Sequence, residues 1–469
     1  MGASALRRTT VVRYAVGSVG TGGFGTLPGL VLLIYMTNTL GVHPAFAGAA
    51  FTVSKIWDVI IDPWIGARSD RSLARTGSRR RFMVLGAILL PIFFVFTFAV
   101  PPGLPEALSA AWVLVGFLLA ATAFSLFQVP YIALPAELVD SYEGRTRLLS
   151  ARVIVLTLAI LAFGGGAPEL IQIGSTEYEG YLFMAIAAGL VFLVAFLITS
   201  TVEKSASVGA TPAAPASAPV EGLEAPKTGM LMHFRRGWSA VRASQPYRAL
   251  LFTFVVQALA IGLMLAGVAY VAFDVLHLQG TLFLFLSLIA PAIIVTPLWA
   301  RIARRIGKER AFAIATVVFG VAAASLVLLY WFPGEWVFAP VAIAGSAYAG
   351  LQSLPLAMLP DTVAYDAQTN GPGRAGTFSG VWTAGETAGL AFGGTILSIV
   401  LSVTGFIATA GDEVVAQPDS AVFGIVIAFS VIPAVLMFLS LISLARYPLR
   451  KADIDALVRD ELPPPVVAA

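Results

Sequence analysis

Lys55, Asp58 and Asp62 stand at i, i+3 and i+7 in the run Lys55-Ile56-Trp57-Asp58-Val59-Ile60-Ile61-Asp62-Pro63. On a helix these spacings share one face, spread over about 10 Å of rise. The run lies in an apolar stretch long enough to cross a bilayer, where ionisable groups are costly and mark a path for an ion or a solute. Two carboxylates a helical turn apart repel one another in low dielectric, so a proton or a cation is expected between them. Lys55 offsets one negative charge when that ion is absent. The expected chemistry is reversible cation binding: Asp58 and Asp62 as ligands, Lys55 as charge balance. A structural ion network between helices is the alternative; three ionisable groups on one face at membrane depth weigh against it.

The elements that position these residues follow from composition. Of 469 residues, 58% are hydrophobic and 12% charged, about half the charged fraction of a soluble domain. Long apolar runs recur from Val11 to Ala445, which predicts a polytopic α-helical membrane protein. The short alternating segments of an outer-membrane barrel are missing. There is no cysteine, and His43, His233 and His277 are scattered, so neither thiol chemistry nor a metal-ligand spacing is present. With no catalytic constellation, no enzyme activity and no cofactor is expected. The first apolar segment is too long for a signal-peptide core and reads as a retained helix.

Twelve spans are expected, near 13–40, 45–66, 82–101, 110–138, 150–168, 180–201, 247–273, 281–300, 310–332, 337–360, 376–405 and 421–445. The even-numbered connections hold Lys and Arg, as in Arg68, Arg71, Arg75 and Arg79 to Arg81, or Arg301, Arg304, Arg305, Lys308 and Arg310. The odd-numbered ones hold acids such as Glu106, Glu177 and Glu179. The positive-inside rule then puts both termini in the cytoplasm. The Ala-, Pro- and Ser-rich segment Ser205–Pro226 reads as a flexible linker. The expected organisation is a six-helix bundle at 1–201, a cytoplasmic linker at 202–246, a second bundle at 247–445 and a cytoplasmic tail at 446–469, disordered toward its end.

The halves resemble distant repeats. Pro130, Leu134 and Pro135 share one offset with Pro355, Leu359 and Pro360. Asp140 and the polar run to Arg147 follow the first set; Asp361, Asp366 and Arg374 follow the second. Two six-span repeats joined by a linker predict the major facilitator arrangement, with solute bound near the bilayer midplane and alternating access. The repeat breaks where it matters: Asp62-Pro63 corresponds to Thr296-Pro297, and nothing acidic replaces Asp58. The charged site belongs to the N-terminal half alone.

Lys-Ile-Trp-Asp-x-x-x-Asp-Pro at 55–63 resembles the second-helix signature of the glycoside–pentoside–hexuronide:cation symporters, the melibiose permease family. The loop Gly66…Asp70-Arg71…Gly77…Arg79-Arg80-Arg81 is similar to the general major-facilitator motif, and further similarity covers Pro130 to Arg152, Pro360 to Asp366 and Ala388 to Phe392. The resemblance implies that Asp58 and Asp62 hold sodium, lithium or a proton, with Ser125 supplying a hydroxyl. It also implies that Gly66, Asp70, Arg71 and Arg80 form a gating motif, with Asp70 pairing with loop arginines. The departures are as informative. Lys55 replaces an arginine, and Ile61 replaces a polar amide, which favours a proton. Gly22 and Gln128 stand where the family has its sugar-binding aspartates, Ile132 replaces a stacking tryptophan, and Thr387 replaces a lysine beside Glu386. Arg152 matches an arginine near the sugar site. The same scaffold in animals includes lysophospholipid symporters, so an amphipathic cargo is compatible with this less polar pocket.

Other polar groups in the spans carry two readings each. Glu386 lies mid-span, as a substrate or proton site or as a helix–helix hydrogen bond. Arg152 binds cargo or snorkels to the interface. Gln128, Tyr131, Gln257, Gln352 and Trp382 are solute-contact candidates that singly are more often interhelical contacts. Gly20-Thr21-Gly22-Gly23-Phe24-Gly25 matches a dinucleotide fingerprint but follows no strand; close helix approach accounts for it better. Arg79-Arg80-Arg81 is explained by topology, not by nucleic acid. The sequence thus predicts an all-α major facilitator of twelve helices in two pseudo-symmetric bundles, monomeric, in a bacterial inner membrane. It would carry a small solute, a sugar or glycoside, in symport with H+ or Na+; a lysolipid-like cargo or passive uniport is the alternative.

Overall fold

The computed structural model describes residues 8–138, 142–202, 241–242, 244–278, 280–370, 375–411, 415–450 and 453. Their backbone forms twelve long helices: α1 (Arg8–Ile34), α2 (Pro44–Thr76), α3 (Arg80–Phe98), α4 (Glu106–Leu138), α5 (Tyr142–Leu161), α6 (Glu177–Ser200), α7 (Gln245–Tyr270), α8 (Leu282–Ile306), α9 (Lys308–Ser325), α10 (Phe338–Asn370), α11 (Ala375–Thr404) and α12 (Asp419–Ala445). All twelve are long and apolar enough to cross a membrane. The expected linker 202–246 and tail 446–469 fall largely outside the described residues, as do Asp140 and Arg374.

Element ends differ from expectation for local reasons. No Gly or Pro interrupts Ala67 to Thr76, so α2 runs ten residues beyond its expected end at 66. It stops at Gly77, whose φ of 67° places it in the left-handed region and whose N–H bonds to the Leu73 carbonyl at 2.8 Å. Arg68, Arg71 and Arg75 therefore sit on a helix, not in a loop. Pro355 and Pro360 lie inside α10, which continues to Asn370, as membrane helices allow. α12 breaks at Ser430. Pro433 has no N–H to offer the Phe429 carbonyl, which is the physical cause of the break.

The chain forms two compact units. Unit 1 holds Met1–Leu223 with the connecting segments His277–Leu282 and Leu401–Pro418; unit 2 holds Glu224–Leu276, Phe283–Val400 and Asp419–Ala469. Within unit 1, Thr409 N–H donates to Thr37 O and Gly411 N–H to Thr39 O, both at 2.8 Å, and Leu282 N–H donates to the Glu169 carboxylate at 3.2 Å. In unit 1 the packed pairs are α3 with α4, α3 with α6, α1 with α6, α1 with α5 and α2 with α4. In unit 2 the same five recur six helices later: α9 with α10, α9 with α12, α7 with α12, α7 with α11 and α8 with α10. This shared pairing is the structural form of the repeat.

Small residues set these crossings. A Cβ on Gly86 would lie 2.6 Å from the Ala123 carbonyl oxygen of α4. Gly20 faces the Phe196 ring, Gly22 the Leu156 carbonyl and Gly23 the rings of Phe192 and Phe163, so two glycines of the apparent dinucleotide pattern, and Gly23 beside them, are packing positions. At the α7–α11 crossing a Cβ on Gly393 would collide with the Gly262 backbone. Gly393→Val is expected to lower stability by about 1–3 kcal/mol through overpacking. Gly380, with nothing within 4 Å of its would-be Cβ, should accept alanine with little change. A thermal-shift series in detergent checks both, and equal midpoints would contradict the close crossing.

Candidate functional site

α2 presents the three ionisable groups of unit 1. Lys55 Nζ lies 3.4 Å from Asp58 Oδ2, with side-chain exposures of 26% and 18%. The Lys55 ammonium sits 5.9 Å from the Phe51 ring centroid and 5.7 Å from that of Phe117, so its surroundings are apolar rings and one carboxylate. Trp57 Nε1 donates to Thr122 Oγ1 at 2.8 Å, pinning α2 to α4 beside the pair. Ser125, buried on α4, is the hydrogen-bonding neighbour of the Asp62 carboxyl. Asp62 Oδ1 is buried with no hydrogen-bond partner. Lys55 is the basic group acting on both carboxylates among the described residues. One positive and two negative charges leave the cluster one negative charge in excess. An acceptor oxygen without a donor and an uncompensated charge are what a proton or a small monovalent cation would satisfy. Among the described residues no group of three His, Cys, Asp or Glu could hold a metal in the usual way.

A second polar group lies one to two turns further along α4. Gln128 Oε1 accepts from Thr21 Oγ1 at 2.8 Å. Tyr131 is fully buried; its hydroxyl donates to Tyr14 O at 3.0 Å and pairs with Ser18 Oγ at 2.8 Å, and its ring stacks on Tyr14. Its phenol is thus committed to α1. Arg152 on α5 places its guanidinium carbon 5.5 Å from the Tyr131 ring centroid, and its Nε is buried with no partner. Gly22 has no space for a larger residue: a Cβ there would lie 2.9 Å from Leu156 O and from Ala159 Cβ. An aspartate at that position is excluded by α5, not merely absent.

In unit 2, Gln257 is buried and its Nε2 donates to Thr316 and Ser440, each at 3.0 Å, joining α7 to α9 and α12. Gln352 Nε2 donates to the Tyr348 hydroxyl at 2.7 Å. Trp382 stacks on Phe254 with centroids 4.2 Å apart, and its Nε1 is buried without a partner. Glu386 lies one turn further on α11, and Thr387 beside it is half-buried.

The motif at the α2–α3 connection is resolved more finely than its sequence allowed. Gly66 sits where a Cβ would be 3.6 Å from Val129 of α4. Asp70 pairs with Arg79 at 2.5 Å, and Arg79 Nη1 also donates to Ser69 Oγ at 2.8 Å. Arg71 is exposed, and the Nε of Arg80 has no partner. Three adjacent arginines are equivalent in sequence; the reversal at Gly77 selects Arg79. Trp57 with Thr122, Thr21 and Tyr348 were also missed. Only the spacing of Trp57 within the charged run gave a signal.

The comparisons with known proteins agree with this architecture. A family model described as "MFS/sugar transport protein" matches residues 13–451. The glucuronide carrier protein homolog of Escherichia coli is 26% identical over 96% of this chain and 94% of its own. The isoprimeverose transporter of Lactiplantibacillus pentosus is 23% identical over 90% and 85%. Among solved structures, the nucleoside transporter NupG superposes with a TM-score of 0.62 at 12% identity, covering 95% of this chain and all of that one. The xylose transporter XylE of Escherichia coli gives 0.59 at 12%, covering 95% and 98%. These structures share the fold. The matched proteins are membrane carriers, not enzymes, and with 439 of its residues under the family model (13 to 451 inclusive) the chain belongs to the MFS/sugar transport family of major facilitators.

Proposed function

We propose that the chain carries a sugar or glycoside across the bacterial inner membrane by alternating access, in symport with a monovalent cation bound at Asp58, Asp62 and Ser125. The observation that carries this reading is the buried Asp62 oxygen without a partner in a cluster one negative charge in excess. An ion that neutralises the cluster lowers the cost of moving it through low dielectric. The absence of a polar side chain at Ile61 favours a proton over sodium. The names of the glucuronide and isoprimeverose carriers support a sugar-like solute. An amphipathic cargo is the second reading. It is favoured by the closed space at Gly22, the Thr21–Gln128 hydrogen bond and the half-exposed Ile132, which leave this part of the wall poorer in carboxylates.

Asp58→Asn and Asp62→Asn are expected to abolish gradient-driven accumulation while leaving membrane insertion intact. Solute-induced H+ or Na+ flux in proteoliposomes, screened over xylose, melibiose, methyl glucuronide and lysophosphatidylcholine, is the measurement. Concentrative uptake at wild-type level by both variants would sink the reading; wild-type uptake that stops at equilibration despite an imposed H+ or Na+ gradient, with no coupled ion flux, would make the chain a uniporter.

Lys55→Met leaves the ion-free cluster with two uncompensated carboxylates. Return of the empty carrier should slow by about tenfold or more, so net uptake falls while counterflow, which needs no empty return, persists. Lys55→Arg should retain both. Parallel loss of counterflow in Lys55→Met would show a folding role instead.

A further inference from the structure

Unit 2 contains a carboxyl that the proposed ion site does not use. Glu386 lies mid-helix on α11, half-buried, and among the described residues it has no hydrogen-bond or ion-pair partner. Trp382, one turn earlier on the same face, is 3% exposed and holds its indole N–H without an acceptor. Phe254 of α7 covers that ring. On α10, Tyr348 and Gln352 form a hydrogen-bonded pair at 2.7 Å, close enough for the Glu386 charge to act on the Tyr348 phenol. A buried indole N–H without an acceptor is costly, and the half-buried Glu386 carboxyl one turn on leaves acceptor oxygens unused among the described residues.

What completes them is constrained by chemistry. A metal cation satisfies a carboxylate but accepts nothing from an indole N–H. An anion accepts from the N–H but is repelled by the carboxylate. A hydroxyl does both, since it donates and accepts. Two neighbouring hydroxyls on a ring also match a carboxylate's two oxygens, and the apolar ring face suits the aromatic walls. We propose that Glu386, with Trp382 behind it and the Tyr348–Gln352 pair nearby, is the hydroxyl-recognition site for the cargo, with Glu386 accepting from two adjacent hydroxyls of a sugar. This rests on the sugar reading above and assigns its polar specificity to α11, in place of carboxylates at positions 22 and 128.

Glu386→Gln, Glu386→Asp and Trp382→Phe, reconstituted beside the wild type, test it with xylose, melibiose and methyl glucuronide as probes. For whichever probe the wild type transports, Glu386→Gln should raise KM by about tenfold or more, with Vmax and the ion-to-solute ratio retained. Glu386→Asp should fall between. Analogues of that sugar lacking both adjacent hydroxyls should be handled nearly equally by wild type and Glu386→Gln, because they have nothing left to donate to either side chain. Sugar should perturb indole fluorescence in the wild type and less so in Trp382→Phe. An unchanged KM in both Glu386 variants overturns the proposal while leaving symport standing. So does a changed ion-to-solute ratio at unchanged KM, which would make Glu386 a proton carrier. Absence of wild-type uptake for every sugar probe, with uptake of lysophosphatidylcholine, overturns the sugar reading itself. If Glu386→Gln fails to reach the membrane, the KM of Glu386→Asp decides.

Discussion

Charge in a low-dielectric medium is the constraint on which the proposed site depends. Two unit charges 4 Å apart interact by about 4 kcal/mol at an effective dielectric of 20, and the desolvation of each ion is several kcal/mol. Lys55 and Asp58, 3.4 Å apart and mostly buried, roughly cancel these terms against one another. Asp62 cannot be treated so, because Ser125 supplies a dipole and not a charge. The cluster is therefore balanced except for one negative charge, which the proposed coupling cation would offset. Every surrounding contact serves that balance. Trp57 locks α2 against α4 through Thr122, and the rings of Phe51 and Phe117 keep the ammonium beside its carboxylate.

The scaffold that holds this cluster cannot rely on the hydrophobic effect between helices, since lipid is as apolar as leucine. Close approach does the work instead. Gly86 brings α3 onto α4, Gly22 brings α1 onto α5, and Gly262 with Gly393 brings α7 onto α11. The same device that packs α1 against α5 also removes the room for an acidic side chain at position 22. Packing at one glycine thus closes position 22 to an acidic side chain, and in the proposed sugar transport polar recognition would lie elsewhere. The indole N–H of Trp382 on α11 and the Nε of Arg152 are two buried donors left without a partner among the described residues.

Much of the scaffold was legible from apolar run length alone, because a bilayer imposes one element length and one backbone solution. All twelve helices were placed, and so was the repeat, whose Pro130/Pro355 and Pro135/Pro360 pairs sit inside α4 and α10. Helix ends were less legible. Hydropathy falls at Arg68, yet helix propensity does not, and α2 continues until Gly77 turns it. Side-chain partners were least legible. Gln257 and Gln352 look alike in sequence, both amides within apolar runs; the first joins three helices and the second meets a tyrosine on its own helix. Arg79 could not be separated from Arg80 without the turn that returns it to Asp70. The charged run at 55–62 was the exception, because ionisable groups in a span are rare enough to be read without knowing what they touch.

Two units with the same helix pairing carry different chemistry, and α4 shows how ion and solute groups become neighbours within one of them. Thr122 and Ser125 turn toward α2, contacting Trp57 and Asp62. Gln128 and Tyr131, one and two turns on, contact Thr21, Ser18 and Tyr14 of α1. One helix therefore touches the proposed cation ligands with one set of residues and the polar wall beside Arg152 with the next. Any displacement of α4 that accompanies neutralisation of Asp62 is transmitted over two turns, about 10 Å, without an intervening loop to absorb it. The counterpart α10 pairs with α8 in the same way, and α8 carries Thr296 where α2 has Asp62. Under the proposed symport, the first unit senses the ion through α4, and the second supplies the hydroxyl acceptor on α11. The repeat provides two frames with the same helix pairing, and in the proposed symport the second, whose α8 has no acid matching Asp58 or Asp62, would recognise cargo without binding the coupling ion.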